Sequence, residues 1–122
     1  MPCKGWSMSA LSTTPEPPYY AVIFASTTTD DSVGYARAAA RMIELATGEP
    51  GFLGVDSVRS DGVGITVSYW TSEEAILAWR EQAEHAVVRD AGRARWYETY
   101  ELRVARVERA YGWRGPSLRS AP

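Results

Sequence analysis

The sequence has few of the side chains that metal and redox sites need. Among its 122 residues there is one cysteine, Cys3, and one histidine, His85. A single thiol excludes an intrachain disulfide, and one imidazole does not make a zinc site by itself. Carboxylates and thiols are not clustered at metal-ligand spacing either. We therefore expect no metal site, and a protein of the reducing cytoplasm.

Long apolar runs and an excess of charge of one sign are also absent. No run approaches the roughly 18 apolar residues of a membrane span, and the first residues lack the pattern of a signal peptide. The formal net charge is -2, without a basic stripe. These features predict that the protein binds neither nucleic acid nor membranes. A glycine-rich phosphate loop and a Ser-His-Asp set are missing as well.

Aromatic residues are present in an unusual balance. Two phenylalanines stand beside five tryptophans and seven tyrosines, so aromatic groups with a polar tip predominate. Such groups suit half-buried sheet edges and subunit contacts, and they also suit the wall of a ligand pocket. Both interpretations stay open at this stage.

The length fits one domain with two short extensions. Residues 1–18 have no hydrophobic period and end in Pro15-Glu16-Pro17-Pro18, which predicts a mobile leader. Residues 19–109 carry the periodic segments of the domain. Residues 110–122 contain Gly112, Gly115 and Pro116 and read as a tail.

Six segments within the domain alternate between strand and helix periods. They are a strand apolar on both faces (Tyr20–Ser26), an alanine-rich amphipathic helix (Val33–Thr47), three further strands (Phe52–Ser60, Val63–Trp70, Arg93–Glu108) and a helix after Thr71. Thr71 with Glu74 three residues later predicts a capping box at the start of that helix. Gly54 suggests a bulge, and Asp61-Gly62 predicts a tight hairpin turn.

This order predicts an α+β fold of the ferredoxin-like β-α-β-β-α-β type, an antiparallel sheet with two helices on one face. The other face then has no cover, although it carries the bulky side chains of Val63, Ile65, Val67 and Tyr69. A wide apolar face is rarely left in water. We therefore expect a homodimer in which two sheets pack face to face.

The opposite face of the third strand predicts a cavity. It presents Gly64, Thr66, Ser68 and Trp70, and small side chains beneath an alanine-rich helix leave volume. Trp70 is expected at the rim of this cavity, with the hydroxyls of Thr66 and Ser68 as polar anchors for a small aromatic or hydrophobic ligand. The alternative is that a helix side chain such as Trp79 fills the space.

His85 and Arg93 are the candidate charged groups. His85 is the one side chain whose ordinary pKa suits proton transfer near neutrality. A regular helix, however, places it about 180° from Ile76, on the solvent side. Arg93 lies just before the last strand and could hold an anion or enolate oxygen, or could pair with a carboxylate such as Glu98.

Several short motifs resemble a known family. They are Gly-Phe-Leu-Gly at Gly51 to Gly54, Tyr69-Trp70 followed by Thr-Ser-Glu-Glu-Ala, Ala78-Trp79-Arg80, and Trp96-Tyr97-x-x-Tyr100. With the element order, they resemble the antibiotic biosynthesis monooxygenase (ABM) domain of dimeric α+β barrels over about residues 19 to 109. The likeness is specific for the fold and unspecific for the chemistry.

The resemblance implies a small homodimeric monooxygenase that needs no cofactor. It would oxidise an electron-rich aromatic or polyketide-like substrate with O₂ in the pocket between sheet and helices. Trp70 would be a stacking wall, Tyr100 or Tyr69 would hydrogen-bond the oxyanion, and His85 would be the base if it faces inward. Thr66, Ser68, Trp79, Arg93 and Trp96 complete the expected substrate contacts.

Two alternatives remain. A haem-degrading branch of the same fold also keeps a tryptophan where Trp70 stands. It differs in carrying an asparagine on the first strand, which Tyr20–Ser26 lacks, and a haem-ligating histidine that aligns nearer Arg89 than His85. The other alternative is a dimer that binds a small ligand without catalysis or acts as an accessory subunit.

Overall fold

The computed structural model describes residues 11–28, 32–89, 97–113 and 115. Within these ranges the side chains of residues 28, 32–39, 84–89, 97 and 98 lie outside the description. The elements are four strands (β1, Tyr19–Thr28; β2, Phe52–Ser60; β3, Val63–Trp70; β4, Tyr97–Val107) and two helices (α1, Ser32–Thr47; α2, Glu73–Arg89). The predicted order β-α-β-β-α-β is confirmed.

The four strands form one antiparallel sheet in the order β2-β3-β1-β4. β1 lies at its centre, which explains why the Tyr20–Ser26 segment is apolar on both faces. Val22 pairs with Ser68 on one side and with Val104 on the other. This register places the even-numbered side chains of β1, β3 and β4 on one face of the sheet.

The hairpin between β2 and β3 follows the predicted turn chemistry. Asp61 and Gly62 have φ angles of 55° and 79°. Two successive positive values are typical of a type I′ turn, for which Asp-Gly is a preferred pair. The predicted irregularity at Gly54 is also present, because the pairing of β2 with β3 shifts between Phe52 and Gly54.

Both helices pack on the even-numbered face and build the core there. The core contains side chains from the sheet and both helices: Val22, Ala46, Trp70, Ile76, Trp79 and Ala83. Trp70 is completely buried. Its ring packs edge-on against Phe52 and at a tilt against Trp79, with centroids 5.5 Å apart in each pair. The predicted placement of the helices on one face is confirmed.

The start of α2 differs from the prediction by one residue. The Ser72 hydroxyl accepts a hydrogen bond from the backbone N–H of Ala75 at 3.1 Å, so Ser72 is the N-cap. Thr71 instead donates its backbone N–H to the Gly51 carbonyl at 2.9 Å. With Ser72 as the cap, its box position falls on Ala75, and the predicted capping box with Glu74 is wrong. Neither α1 nor α2 has the length and apolar character to cross a membrane.

The other face of the sheet, which we call the open face, carries exposed apolar side chains. Val58, Val63 and Ile65 are 65%, 51% and 43% exposed and lie on adjacent strands. The pairing of Val58 with Ile65 makes them direct neighbours. Val63 and Ile65 are exposed, as the sequence pattern predicts, whereas Val67 and Tyr69 of the same face are half-buried.

The end of the predicted leader contacts this open face. The Ser12 backbone N–H donates to Asp56 Oδ1, and the Ser12 hydroxyl donates to the Val55 carbonyl, both at 2.8 Å. A Cβ added at Gly54 would lie 2.8 Å from Ser12 Oγ, so the glycine permits this close approach. These contacts join the segment around Ser12 to β2, and the mobility of the leader stays a prediction. Residues 1–10 lie outside the description.

Candidate functional site

A cavity lies between the even-numbered face of the sheet and the two helices. Its lining comes from every strand and both helices: Val22, Phe24, Met42, Ile43, Ala46, Val55, Thr66, Ser68, Trp79 and Leu102. Among the residues that the structure describes, the lining carries no charged side chain. A ring or another apolar group is therefore the kind of ligand that this surface suits.

The cavity is small and partly open. About 60 Å³ of it is open to the centre of a water molecule, and the empty space is about 590 Å³ when its mouth toward solvent is included. The inner part therefore has room for several waters. That space matches one ring with a substituent, and a larger ligand would extend into the mouth.

Thr66 and Ser68 lie in the cavity, as predicted from their alternation with the bulky residues of β3. The Thr66 hydroxyl is hydrogen-bonded to the Ser57 hydroxyl at 2.8 Å. The buried Ser68 hydroxyl accepts the indole N–H of Trp70 at 2.9 Å. Since a hydroxyl is both donor and acceptor, Ser68 still has its own hydrogen to offer a ligand.

Trp79 lines the cavity without filling it. Its indole N–H donates to the Met42 carbonyl at 3.2 Å, which joins α2 to α1 and holds the ring in position. The alanine face of α1 explains the remaining space, because Ala46 reaches less far toward the sheet than a larger side chain would. Of the two alternatives predicted for this face, the structure has the cavity.

Trp70 does not lie at the rim. The ring is completely buried and packs between Phe52 and Trp79. The sequence pattern predicted the correct face for Trp70. The pattern did not predict that Trp79, in the following helix α2, would pack against the indole of Trp70 and exclude solvent from it.

Tyr100 lies beside the cavity on the same face of the sheet. It pairs with Ser26 across β1 and β4, and its ring centroid is 5.5 Å from that of Phe24, which lines the cavity. The tyrosine is 40% exposed. It is therefore placed at the boundary between the cavity wall and solvent.

The structure does not bring Tyr69 to the cavity. As an odd-numbered residue of β3 it lies on the open face, where its hydroxyl donates to Asp56 Oδ2 at 2.9 Å. Burial, with the hydrogen bond to the Asp56 carboxylate and its charge, raises the pKa of Tyr69 to about 12. The strand period places its phenol away from any ligand in the cavity of the same chain.

The other predicted site residues cannot be located in this way. His85 falls within α2, but its side chain lies outside the described set, and Arg93 and Trp96 lie outside the described residues. Among the described residues, no group of three or more His, Cys, Asp or Glu is placed to hold a metal ion.

Sequence reasoning missed most of the apolar lining. Val22 and Phe24 alternate within β1, and Leu102 alternates with exposed residues in β4. Their alternation was visible in the sequence. The register that sets Phe24 opposite both Thr66 and Leu102 was needed to place them in one cavity.

Residues 18–91 match the model of the family described as antibiotic biosynthesis monooxygenase. This match covers more than half of the chain and includes β1, both helices and most of the cavity lining. The chain belongs to this family. The predicted resemblance is confirmed.

One relative of this ABM chain is the uncharacterized protein YqjZ of Bacillus subtilis (strain 168). It is 56% identical over 103 residues, which cover 84% of this chain and 90% of YqjZ. Its name states no activity.

Solved structures share the ABM fold at low identity. SnoaB, a cofactor-independent oxygenase from Streptomyces nogalater, has a TM-score of 0.63 at 17% identity, over 77% of this chain and 97% of SnoaB. A variant of MhuD with two manganese protoporphyrin IX molecules bound per active site has a TM-score of 0.56 at 22% identity, over 77% and 99%. At these identities the likeness supports the fold and does not specify the chemistry.

Proposed function

We propose that this ABM protein is a monooxygenase that oxidises an electron-rich aromatic ring with O₂ and without a cofactor. The observation that carries the proposal is the apolar cavity with ring-bearing walls and two hydroxyls, set between the sheet and the helices of an ABM fold. The cofactor-independent oxygenase SnoaB, which has the same fold, supports this chemistry.

The reaction needs little from the protein beyond removal of a proton. A deprotonated phenol or anthrone passes one electron to O₂, and the two radicals combine into a peroxide on the ring carbon. Loss of water then leaves a carbonyl, so that one oxygen atom enters the product and the other leaves as water. The protein's tasks are to accept the proton, stabilise the oxyanion and exclude water.

The chain offers groups for each task. Val22, Phe24 and Leu102 provide the apolar wall, and the Ser68 hydroxyl can donate to an oxyanion in the cavity. Tyr100 stands beside Phe24 as a second candidate donor. His85 stays our candidate base, as the one imidazole of the sequence.

Haem is the competing cofactor, because MhuD binds a protoporphyrin on the same fold. The described lining offers haem iron no histidine, and the side chain of His85, the one imidazole of the sequence, lies outside the description. Haem binding therefore stays the alternative to the proposed reaction.

A second copy of the chain is the proposed partner. Val58, Val63 and Ile65 expose an apolar surface on the open face, opposite the cavity. Two such faces packed together would remove these side chains from water and leave each cavity under its own helices.

Oxygen uptake tests the proposal. The assay follows O₂ consumption with dithranol, an anthrone, in the presence of a chelator and without added cofactor. The matched variants are Ala46→Leu, which fills the cavity, and Leu77→Ala, which changes an exposed side chain of α2. We expect kcat/KM to fall about tenfold or more in Ala46→Leu, equivalent to ~1.4 kcal/mol, and to stay unchanged in Leu77→Ala.

Two other outcomes would replace the proposal. A Soret shift on adding haemin that is lost in His85→Ala would support the haem-binding alternative. Absence of oxygen uptake, together with an increase in melting temperature when a ring compound is added, would support a binding or accessory protein instead.

A further inference from the structure

One buried hydroxyl on the cavity face has no hydrogen-bond partner. Ser26 in β1 is 3% exposed, and its Oγ atom contacts neither a donor nor an acceptor. Buried hydroxyls are almost always paired, because leaving one without a partner costs free energy. An exception on the face of the sheet that carries the cavity calls for an explanation.

Ser26 follows the cavity lining along β1 without being part of it. It is two residues after Phe24 on the same face of β1, and Phe24 is part of the lining. On one side Ser26 pairs with Gly64 of β3, and on the other with Tyr100 of β4. Gly64 has no side chain, so β3 places no side-chain atom beside the hydroxyl.

The two hydroxyls that line the cavity already have partners, whereas Ser26 has none. Thr66 is bonded to Ser57, and Ser68 accepts from Trp70. The pair formed by Ser26 and Gly64 follows the pair formed by Phe24 and Thr66 along the sheet. A ring held against Val22, Phe24 and Leu102 would therefore direct a substituent at that end toward Ser26.

We propose that the Ser26 hydroxyl binds the oxygen substituent of the ring substrate. The site then selects ring compounds with a hydroxyl or carbonyl group at the end that enters between Phe24 and Gly64. The described lining adds no charged side chain to this contact, so the hydrogen bond to Ser26 is what distinguishes such compounds from plain rings. This inference rests on the proposed function, since it assigns the substrate to the same cavity.

A pair of ligands that differ by one hydroxyl tests the assignment. The dissociation constants of 4-methylphenol and toluene are measured by NMR titration with the full chain, with Ser26→Ala and with Ser60→Ala. Ser60 is an exposed serine at the end of β2 and is the control. We expect Ser26→Ala to raise the dissociation constant of 4-methylphenol about threefold to tenfold, which corresponds to the loss of one hydrogen bond. The dissociation constant of toluene should not change.

The protein without ligand gives an independent readout. Because Ser26→Ala removes an unpaired buried hydroxyl, we expect its melting temperature to rise slightly above that of the wild type. A clear decrease would mean that the hydroxyl has a partner within the protein, and it would overturn the proposal.

The remaining outcomes separate this inference from the proposed function. If both ligands bind and Ser26→Ala affects them equally or not at all, the role of Ser26 is wrong while the cavity remains a ligand site. If neither ligand binds the wild type, the ring-binding cavity and the role of Ser26 both fail.

Discussion

Successive side chains of β3 point to opposite faces of the sheet, and this alternation decides which of them contact the cavity. Thr66 and Ser68 line it, and Trp70 continues the same face into the core. Tyr69 points to the open face, although it directly precedes Trp70 and was an equal candidate for the oxyanion site. Two adjacent aromatic residues thus lie on opposite faces of the sheet, because strand side chains alternate.

The environment of Tyr69 on the open face predicts how its phenol titrates. Folding favours the neutral phenol of Tyr69, whose pKa is 10 in the unfolded chain and about 12 in the folded protein. Its contribution to the free energy of unfolding is therefore fully present below pH 10 and is lost as the pH rises through about 12. We expect a contribution of no more than about 1 kcal/mol, because the phenol is only partly buried. Tyrosinate absorbance should show a group titrating near pH 12 that disappears in Tyr69→Phe.

Asp56→Asn gives the matched comparison. Since the Asp56 carboxylate accepts a hydrogen bond from the Tyr69 hydroxyl, replacing it with a neutral amide should lower the pKa of Tyr69 toward 10. Asp61→Asn changes a carboxylate in the exposed turn and should leave the value near 12. An unchanged titration in Asp56→Asn would show that the hydrogen bond does not govern the phenol.

At the scale of elements, the ends of strands and helices were harder to predict than their existence. Phe52–Ser60 and Val63–Trp70 agree with the structure at both ends, because Gly51 and the Asp61-Gly62 turn delimit them. The cap of α2 was assigned one residue early. Thr71 and Ser72 both carry hydroxyls, so residue type alone could not choose between them.

Alanine substitutions test whether Ser72 or Thr71 caps α2. Ser72→Ala removes the acceptor of the Ala75 N–H, and we expect a loss of about 1 kcal/mol in the free energy of unfolding in urea. Thr71→Ala should change it by less than about 0.5 kcal/mol, because the threonine side chain is exposed and its backbone bond to Gly51 remains. The reverse ranking would restore Thr71 as the cap.

The sequence predicted the existence of the cavity but not its size. Small residues on β3 and alanines on α1 indicated that space remains between sheet and helix. The size of that space depends on Trp79, whose bond to the Met42 carbonyl fixes its ring at one wall. The unpaired hydroxyl of Ser26 was also hidden, because strand register sets it between Gly64 and Tyr100.

For the whole molecule, the two faces of the sheet have separate roles. The even-numbered face holds the core and the cavity, whereas the open face exposes Val58, Val63 and Ile65. Ser12 and Asp56 are hydrogen-bonded at another part of the open face and leave these three side chains uncovered. The family and the α+β fold were predicted from the chain, and both are confirmed.

For the whole molecule, we predict that the chain dimerises through the open face. We expect light scattering to give twice the chain mass for the wild type. Ile65→Glu would bury a carboxylate without a partner at the interface, so its dimer dissociation constant should rise about a hundredfold, ~3 kcal/mol. Leu77→Glu introduces the same charge on α2, at a side chain that is 54% exposed, and should leave the dimer intact. A wild-type monomer at micromolar concentration would contradict the proposal.

The position of a bound ring tests most directly whether the ligand lies in the space between the sheet and the helices. In a methyl-labelled sample with 4-methylphenol, we predict nuclear Overhauser effects from the ring protons to the methyl groups of Val22, Val55 and Leu102, which line the cavity. Effects confined to Val58, Val63 and Ile65 on the open face, or none at all, would contradict it.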